Sequence, residues 1–245
     1  PDRKTIRSVV AQFSKLAGTA AENNIPVVLI MGPNKSSIYP EYLPDELVPS
    51  PQKYSGFFLE KLREIPNLTV YDPTADLLER KQSEGLLYWM TDTHWNPKGA
   101  FLTYTSFAKL FGLPVPDISF RQGMAHKGDL IGISKQKDFP LHADDNWEIV
   151  WKNEPVLTEE NISGTVSESF GPLVSVRNRH PLSDKHIWII GDSFNYALRP
   201  YFNAVFSETR YIGHYSKELD QLPSELKKAD RKPDMIVVIR VERSF

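Results

Sequence analysis

Along the first third of the chain the apolar positions change period, from helical spacing to an unbroken run and back. Ile6, Val9, Val10, Phe13, Leu16, Ala17 and Ala20 recur every three or four residues, which predicts an amphipathic helix over 4–22, ended by Asn23 and Asn24. The run Pro26-Val27-Val28-Leu29-Ile30-Met31 is apolar throughout, as in a parallel strand covered on both faces. Gly32-Pro33-Asn34 stops it, and a proline-rich stretch follows from Tyr39 to Pro51. Phe57, Phe58, Leu62 and Ile65 mark a second helix, Leu68 to Tyr71 a short strand closed by Asp72-Pro73, and residues 74–82 a third helix. Asn96-Pro97 combines an N-cap with a first-turn proline, so a helix runs from there to Phe111 and stops at Gly112.

The pattern then breaks. Residues 113–183 carry scattered prolines and charges and short alternating stretches such as Trp147 to Trp151, which predicts an irregular, partly β insertion. Order resumes with the strand His186-Ile187-Trp188-Ile189-Ile190, then Gly191-Asp192-Ser193-Phe194 and a short helix that Pro200 bends or ends. A strand over 208–212, a helix over 223–230 and the apolar strand Met235 to Ile239 complete the chain. Alternating helices and buried strands predict an α/β fold, a three-layer α/β/α sandwich on a mainly parallel sheet. We expect one domain over 1–245 with the insertion at about 113–183.

Composition narrows the function classes. A net charge of −2 gives no global basic field for nucleic acid. The absence of cysteine agrees with an exported protein without disulfides, although cytosolic proteins also lack them. No apolar run reaches the roughly 18 residues of a membrane span. The chain begins at Pro1, so an N-terminal signal or anchor would lie outside it.

Two short segments carry chemistry. Ser193 stands where a buried strand meets a helix, at the carboxyl end of the strand where open α/β sheets gather their reactive groups. Backbone N–H groups at the following helix start can stabilise an oxyanion. A serine needs a base to become a nucleophile, and His94, in another loop before a helix, supplies one. Asp92, two residues earlier, can orient the imidazole. No His-x-x-x-His, cysteine cluster or dense carboxylate loop accompanies Asp92 and His94, so we read no metal site and expect no cofactor.

At these residues the chain resembles the SGNH (GDSL-like) hydrolase superfamily, and within it the AlgX/AlgJ group of alginate O-acetyltransferases. Gly191-Asp192-Ser193-Phe194 matches the nucleophile block; Thr91-Asp92-Thr93-His94-Trp95-Asn96-Pro97, with Gly99 and Ala100, matches the longer and more specific Asp-x-His block. The nucleophile comes 99 positions after His94, the reverse of the usual order, and the AlgX/AlgJ group is similarly circularly permuted. The resemblance covers 1–112 and 184–245. It implies a Ser193-His94-Asp92 triad that moves acetyl groups onto an exported polysaccharide through an acetyl-serine intermediate. It also implies a periplasmic or other extracytoplasmic location, a possible inner-membrane anchor, and a donor supplied by a membrane O-acyltransferase. One departure stands out: the last strand continues Arg240-Val241-Glu242-Arg243 without the Gly-x-Asn-Asp that normally brings an oxyanion asparagine.

The missing donor leaves Arg243, Arg240 and Asn34 as oxyanion candidates beside the Ser193 N–H. Trp95 and Tyr39 are substrate candidates, with Lys35 and Tyr88 on the same face; Trp95 could equally pack beneath the motif. Arg177, Arg179, His180 and His186 form a basic cluster that is either a solvated face or a contact for an anionic glycan. His126, His142 and His214 read as structural or exposed, and Asn161-Ile162-Ser163 matches a glycosylation sequon. Two other functions fit the same residues: a carbohydrate O-acetyl esterase using the same triad, and a non-catalytic glycan-binding or assembly protein.

Overall fold

A computed structural model of the chain describes residues 3–47, 54–135, 138–141, 145–162, 173–213 and 216–244. His142, His214 and Ser163 of the sequon lie outside them.

The helix expected over 4–22 is α1 (Arg3–Ala21), and the first apolar run is β1 (Val27–Gly32), every residue of which is buried. A short α2 (Lys35–Ile38) precedes α3 (Tyr54–Arg63), β2 (Leu68–Tyr71), α4 (Thr74–Glu84) and α5 (Pro97–Phe111). Within α3 the apolar face is Phe58, Leu59 and Leu62, while Phe57 turns half outward. Asn96 caps α5 by accepting the Gly99 N–H, and Gly112 closes it in a left-handed conformation at φ 59°.

The segment read as an insertion supplies β3 (Ile118–Gln122), α6 (Asp129–Ser134), β4 (Trp147–Trp151), β5 (Leu157–Asn161) and β6 (Val174–Asn178). Here the expectation needs adjusting. β3 and β4 form their own antiparallel pair, but β5 and β6 extend the central sheet. The chain then gives β7 (Ser183–Gly191), α7 (Asn195–Val205), β8 (Phe206–Ile212), α8 (Ser216–Lys228) and β9 (Met235–Val241). Pro200 neither ends nor replaces α7; the helix runs on to Val205, held by Leu198, Tyr201, Phe202 and Val205 buried against the sheet. Pro223 is likewise accommodated within α8.

The seven strands lie in the order β2-β1-β9-β7-β8-β6-β5. The first five are mutually parallel, and β6 and β5 add antiparallel pairing at one edge. Alternate residues of β1 serve opposite faces. Val27, Leu29 and Met31 pack with Phe13 and Leu16 of α1, Phe58 of α3 and Leu222 of α8. Val28 and Ile30 pack with Leu77 of α4, Tyr104 and Phe107 of α5, and Phe202 of α7. Both faces of a parallel strand are thus covered, which is why its sequence is unbroken rather than alternating. The result is the three-layer α/β/α sandwich, with the carboxyl ends of β7 and β9 side by side.

Candidate active site

Ser193 follows β7 in a tight turn into α7. Its neighbour Asp192 stitches that turn in place: Oδ1 accepts the Phe194 N–H (3.0 Å) and Oδ2 accepts the Val241 N–H of β9 (2.6 Å). The Asp192 N–H itself donates to the Ile239 carbonyl. The turn carrying Ser193 is therefore pinned to the central sheet from both sides of one carboxylate, with Ser193 partly exposed. The Ser193 N–H has no acceptor among the described residues.

The Asp-x-His block sits opposite, in the irregular stretch between α4 and α5. Trp95 joins the two halves: it is fully buried, its indole N–H donates to the Phe194 carbonyl (2.9 Å), and its ring meets that of Phe194 edge-on at 4.9 Å. Trp95 therefore cannot stack on a sugar, because no face of it reaches solvent. Phe194 also packs against the His94 ring at 4.9 Å and against Gly32, where an added Cβ would come within 2.4 Å of the ring.

These anchors bring the three expected side chains together. His94 Nε2 lies 2.6 Å from Ser193 Oγ, and His94 Nδ1 lies 2.5 Å from Asp92 Oδ1. The His94 backbone N–H also donates to Asp92 Oδ1 at 3.0 Å. With Nδ1–H donated to the carboxylate, Nε2 is left as the acceptor facing the serine hydroxyl. Burial opposes the charge on Asp92, but hydrogen bonds from His94 and His126 outweigh it and hold the carboxyl well below the usual carboxylate range.

Two partners came from a segment without a motif. His126 Nε2 is 3.0 Å from Asp92 Oδ2, and Asp129 accepts from Thr93 through both its N–H (2.8 Å) and its hydroxyl (2.6 Å). Nothing in the local pattern marked either residue. A loop that folds back through hydrogen bonds has no period to betray it. Asp92, His94 and Asp129 could each offer a ligand atom within 4.8 Å of the others. Those atoms are already committed, however, Asp92 Oδ1 to His94 and Asp129 Oδ2 to Thr93.

Lys35 is more than surface. Its ammonium donates to the carbonyls of Trp89 (2.8 Å), Met90 (2.7 Å) and Asp92 (3.2 Å), gathering the turn that presents the carboxylate. Burial lowers its pKa, while Asp92, Asp145 and Asp129 pull the other way. Lys35→Met keeps the stem and removes the donors. We expect it to lower the thermal midpoint by the equivalent of about 2 kcal/mol, read by calorimetry. An unchanged midpoint would show that the three carbonyls are satisfied without it.

The remaining candidates divide. A groove of about 540 Å³ beside the triad is lined by Asn34, Lys35, Tyr39, Tyr42, Thr93 and Arg243, among others. Arg243 reaches Asn34 Oδ1 at 3.5 Å and lies 5.5 Å over the Phe194 ring. Buried Glu242 fixes this rim by accepting from the Asn34 N–H (2.8 Å) and the Ser37 and Ser55 hydroxyls. Arg240 does not join it; its guanidinium turns to the Ser244 carbonyl at 2.5 Å. Tyr39 is largely buried and its hydroxyl accepts the Leu87 N–H, so little of it meets the groove. Tyr88 is buried, its hydroxyl donating to the Pro33 carbonyl. His186 is buried beside Glu208 at the opposite end of β7 from Ser193, and Arg177 faces Glu160 and Glu208. His186 and Arg177 thus join an ion-pair network around Glu208, while Arg177, Arg179 and His180 are exposed.

Comparison with known proteins supplies the family and the fold. A family model described as the SGNH hydrolase-like domain of the acetyltransferase AlgX matches residues 1–131. No curated protein sequence matches the chain. Among solved structures, the O-acetyltransferase domain of Pseudomonas putida AlgJ is 18% identical, with a TM-score of 0.65 over 99% of this chain and 85% of that one. Bacillus cereus PatB1 is 15% identical, with a TM-score of 0.65 over 100% of this chain and 91% of its own. A DHHW family protein from Eubacterium siraeum is 15% identical, with a TM-score of 0.67 over 95% of this chain and 85% of its own. At these identities the three structures establish the fold.

Proposed function

Because the chain belongs to the SGNH hydrolase-like acetyltransferase family of AlgX, we propose that it moves acetyl groups onto hydroxyls of an exported polysaccharide through an acetyl-Ser193 intermediate. One observation carries the reading: Ser193 Oγ, His94 and Asp92 form a continuous hydrogen-bonded relay of 2.6 and 2.5 Å. In the first half, His94 Nε2 takes the hydroxyl proton as Ser193 Oγ bonds to the acetyl carbon of a donor ester. The negative oxygen of the tetrahedral intermediate faces the free Ser193 N–H, with Asn34 and Arg243 as further donors from the groove rim. The imidazolium, stabilised by the Asp92 carboxylate, returns its proton to the departing donor alcohol. In the second half, an acceptor hydroxyl gives its proton to His94 as its oxygen bonds to the acetyl carbon, and the imidazolium returns that proton to Ser193 Oγ as the acetyl–serine bond breaks.

The groove suits a carbohydrate acceptor. Tyr42 is 73% exposed and stacked on Tyr39 at 5.8 Å, which offers a rigid aromatic face beside the triad. The polymer and a membrane-bound acetyl supplier belong to the same proposal, as does an extracytoplasmic location. Among the described residues no helix is long and apolar enough to cross a membrane. The test is product analysis with an activated acetyl ester and excess oligosaccharide. Acetylated sugar supports transfer. Free acetate alone, at saturating acceptor, would make the protein an O-acetyl esterase with the same three groups, and sugar binding without reaction would leave a glycan-binding protein.

A further inference from the structure

Asp92 is held by two imidazoles, and the second has no part in the chemistry described so far. Each carboxylate oxygen receives two N–H groups. Oδ1 takes those of the His94 ring and backbone; Oδ2 takes His126 Nε2 at 3.0 Å and the Asp129 backbone N–H at 3.2 Å. We infer that His126 is a positioning residue of the triad, whose Nε2–H locks the rotation of the Asp92 carboxylate so that Oδ1 stays aimed at His94. The inference rests on the proposed acetyl transfer.

A carboxylate turns about a single broad torsion. Bonds on one oxygen alone leave it free to rock, and Oδ1 must keep its direction while His94 gains and loses a proton. Two donors on Oδ2 remove that freedom, the Asp129 N–H at 3.2 Å and the shorter His126 Nε2–H at 3.0 Å. The imidazole is itself immobilised. The His126 ring lies nearly parallel to Trp89 at 4.2 Å, with 20° between the planes. The Trp89 indole N–H is tied to Asn146 (2.8 Å), and the Trp89 carbonyl accepts from Lys35. The His126 carbonyl accepts the Thr91 hydroxyl at 2.9 Å, and that hydroxyl oxygen accepts the Gly128 N–H at 3.0 Å. Residues 126–129 thus bind Thr91, Asp92 and Thr93 in turn, and His126 is the member whose side chain reaches the carboxylate. Donating from Nε2 is possible for the neutral ring in one tautomer and for the imidazolium alike, so the lock does not depend on the ring's charge.

Two substitutions separate hydrogen bonding from packing. His126→Phe keeps a flat ring against Trp89 and has no donor. His126→Gln loses the ring but carries an amide N–H at the reach of Nε2. We expect His126→Phe to lower kcat about tenfold to a hundredfold, the cost of losing an orienting partner behind a reacting group, with KM little changed. His126→Gln should restore most of that loss. The readouts are steady-state acetyl transfer and the rate of acetyl-Ser193 formation by intact mass. A His126→Phe protein with wild-type kcat would overturn the inference, as would a His126→Gln protein as slow as His126→Phe. Should the phenylalanine variant fail to fold, His126→Asn against His126→Gln makes the same comparison, since the shorter amide falls short of Asp92. Wild-type protein that never acetylates at Ser193 would remove the acetyl-transfer proposal and this one together. Wild-type acetylation undiminished in His126→Phe would remove this one alone.

Discussion

Replacing Ser193 with alanine is expected to abolish acetyl-enzyme formation and to cut acetyl transfer by at least about 10⁴-fold, the scale on which triads fail when the nucleophile goes, without unfolding the protein. The side chain makes one hydrogen bond, to His94, and the residue is partly exposed. What holds the turn is Asp192, bonded to Phe194 and Val241, and the alanine variant keeps both bonds. The stability cost should therefore be within about 1 kcal/mol. Among the described residues no other hydroxyl is hydrogen-bonded to His94 Nε2. Thr93 Oγ1 approaches His94 at 3.5 Å but from the Nδ1 side, which faces Asp92, and its proton is already given to Asp129. Incubation with an activated acetyl ester followed by intact-protein mass spectrometry reads the outcome. Added acetyl mass on the wild type and none on Ser193→Ala is the expected pair. Full activity in the variant would take Ser193 out of the chemistry.

Much of this is legible in the amino-acid sequence. The unbroken runs in β1, β7 and β9 revealed a parallel sheet because both of their faces are covered, and the Asn96-Pro97 signal placed the start of α5 to the residue. Asp92, His94 and Ser193 were readable because reactive groups at strand ends sit beside recognisable helix starts. The support around them was not. His126 is 34 residues from Asp92 in a stretch with no apolar period, and only the folded path of the chain makes them neighbours. Trp95 left two uses open because an aromatic beside a motif looks the same whether its ring faces sugar or core; its burial under Phe194 decides between them. Pro200 points to a helix bend or end by its missing N–H, and packing of the flanking Leu198, Tyr201 and Phe202 carries the helix past it. The edge strand β5 is hidden because all five of its residues are exposed, and β6 beside it because polar Ser175 and Asn178 stand among its buried positions.

The second large effect is expected from a glycine outside both motifs. Gly128 has φ −90° and ψ 179°, backbone that any residue can adopt, so conformational freedom does not explain it. Contact does. A Cβ there would stand 2.3 Å from the Thr91 carbonyl oxygen, 2.5 Å from its carbonyl carbon and 2.4 Å from Asp92 Cβ. None of these is the far end of a flexible side chain, so alanine must push the 126–130 segment and the Asp92 turn apart. Bonds from Gly128, Asp129 and Leu130 to Thr91 and Asp92 stretch with it. The carboxylate then loses its aim at His94, and a displacement of about 1 Å at such a group is worth about 10²-fold in rate. Gly128→Ala should therefore lose about 10²-fold in kcat while its thermal midpoint falls only modestly, because the two apolar cores on either side of the sheet are untouched. Gly132→Ala, four residues on, meets nothing within 4 Å and serves as the control, with kcat expected to match wild type. If Gly128→Ala turned over at the wild-type rate while remaining folded, the close seat of this segment against Asp92 would not be what aligns the triad, and the role given to His126 would weaken with it.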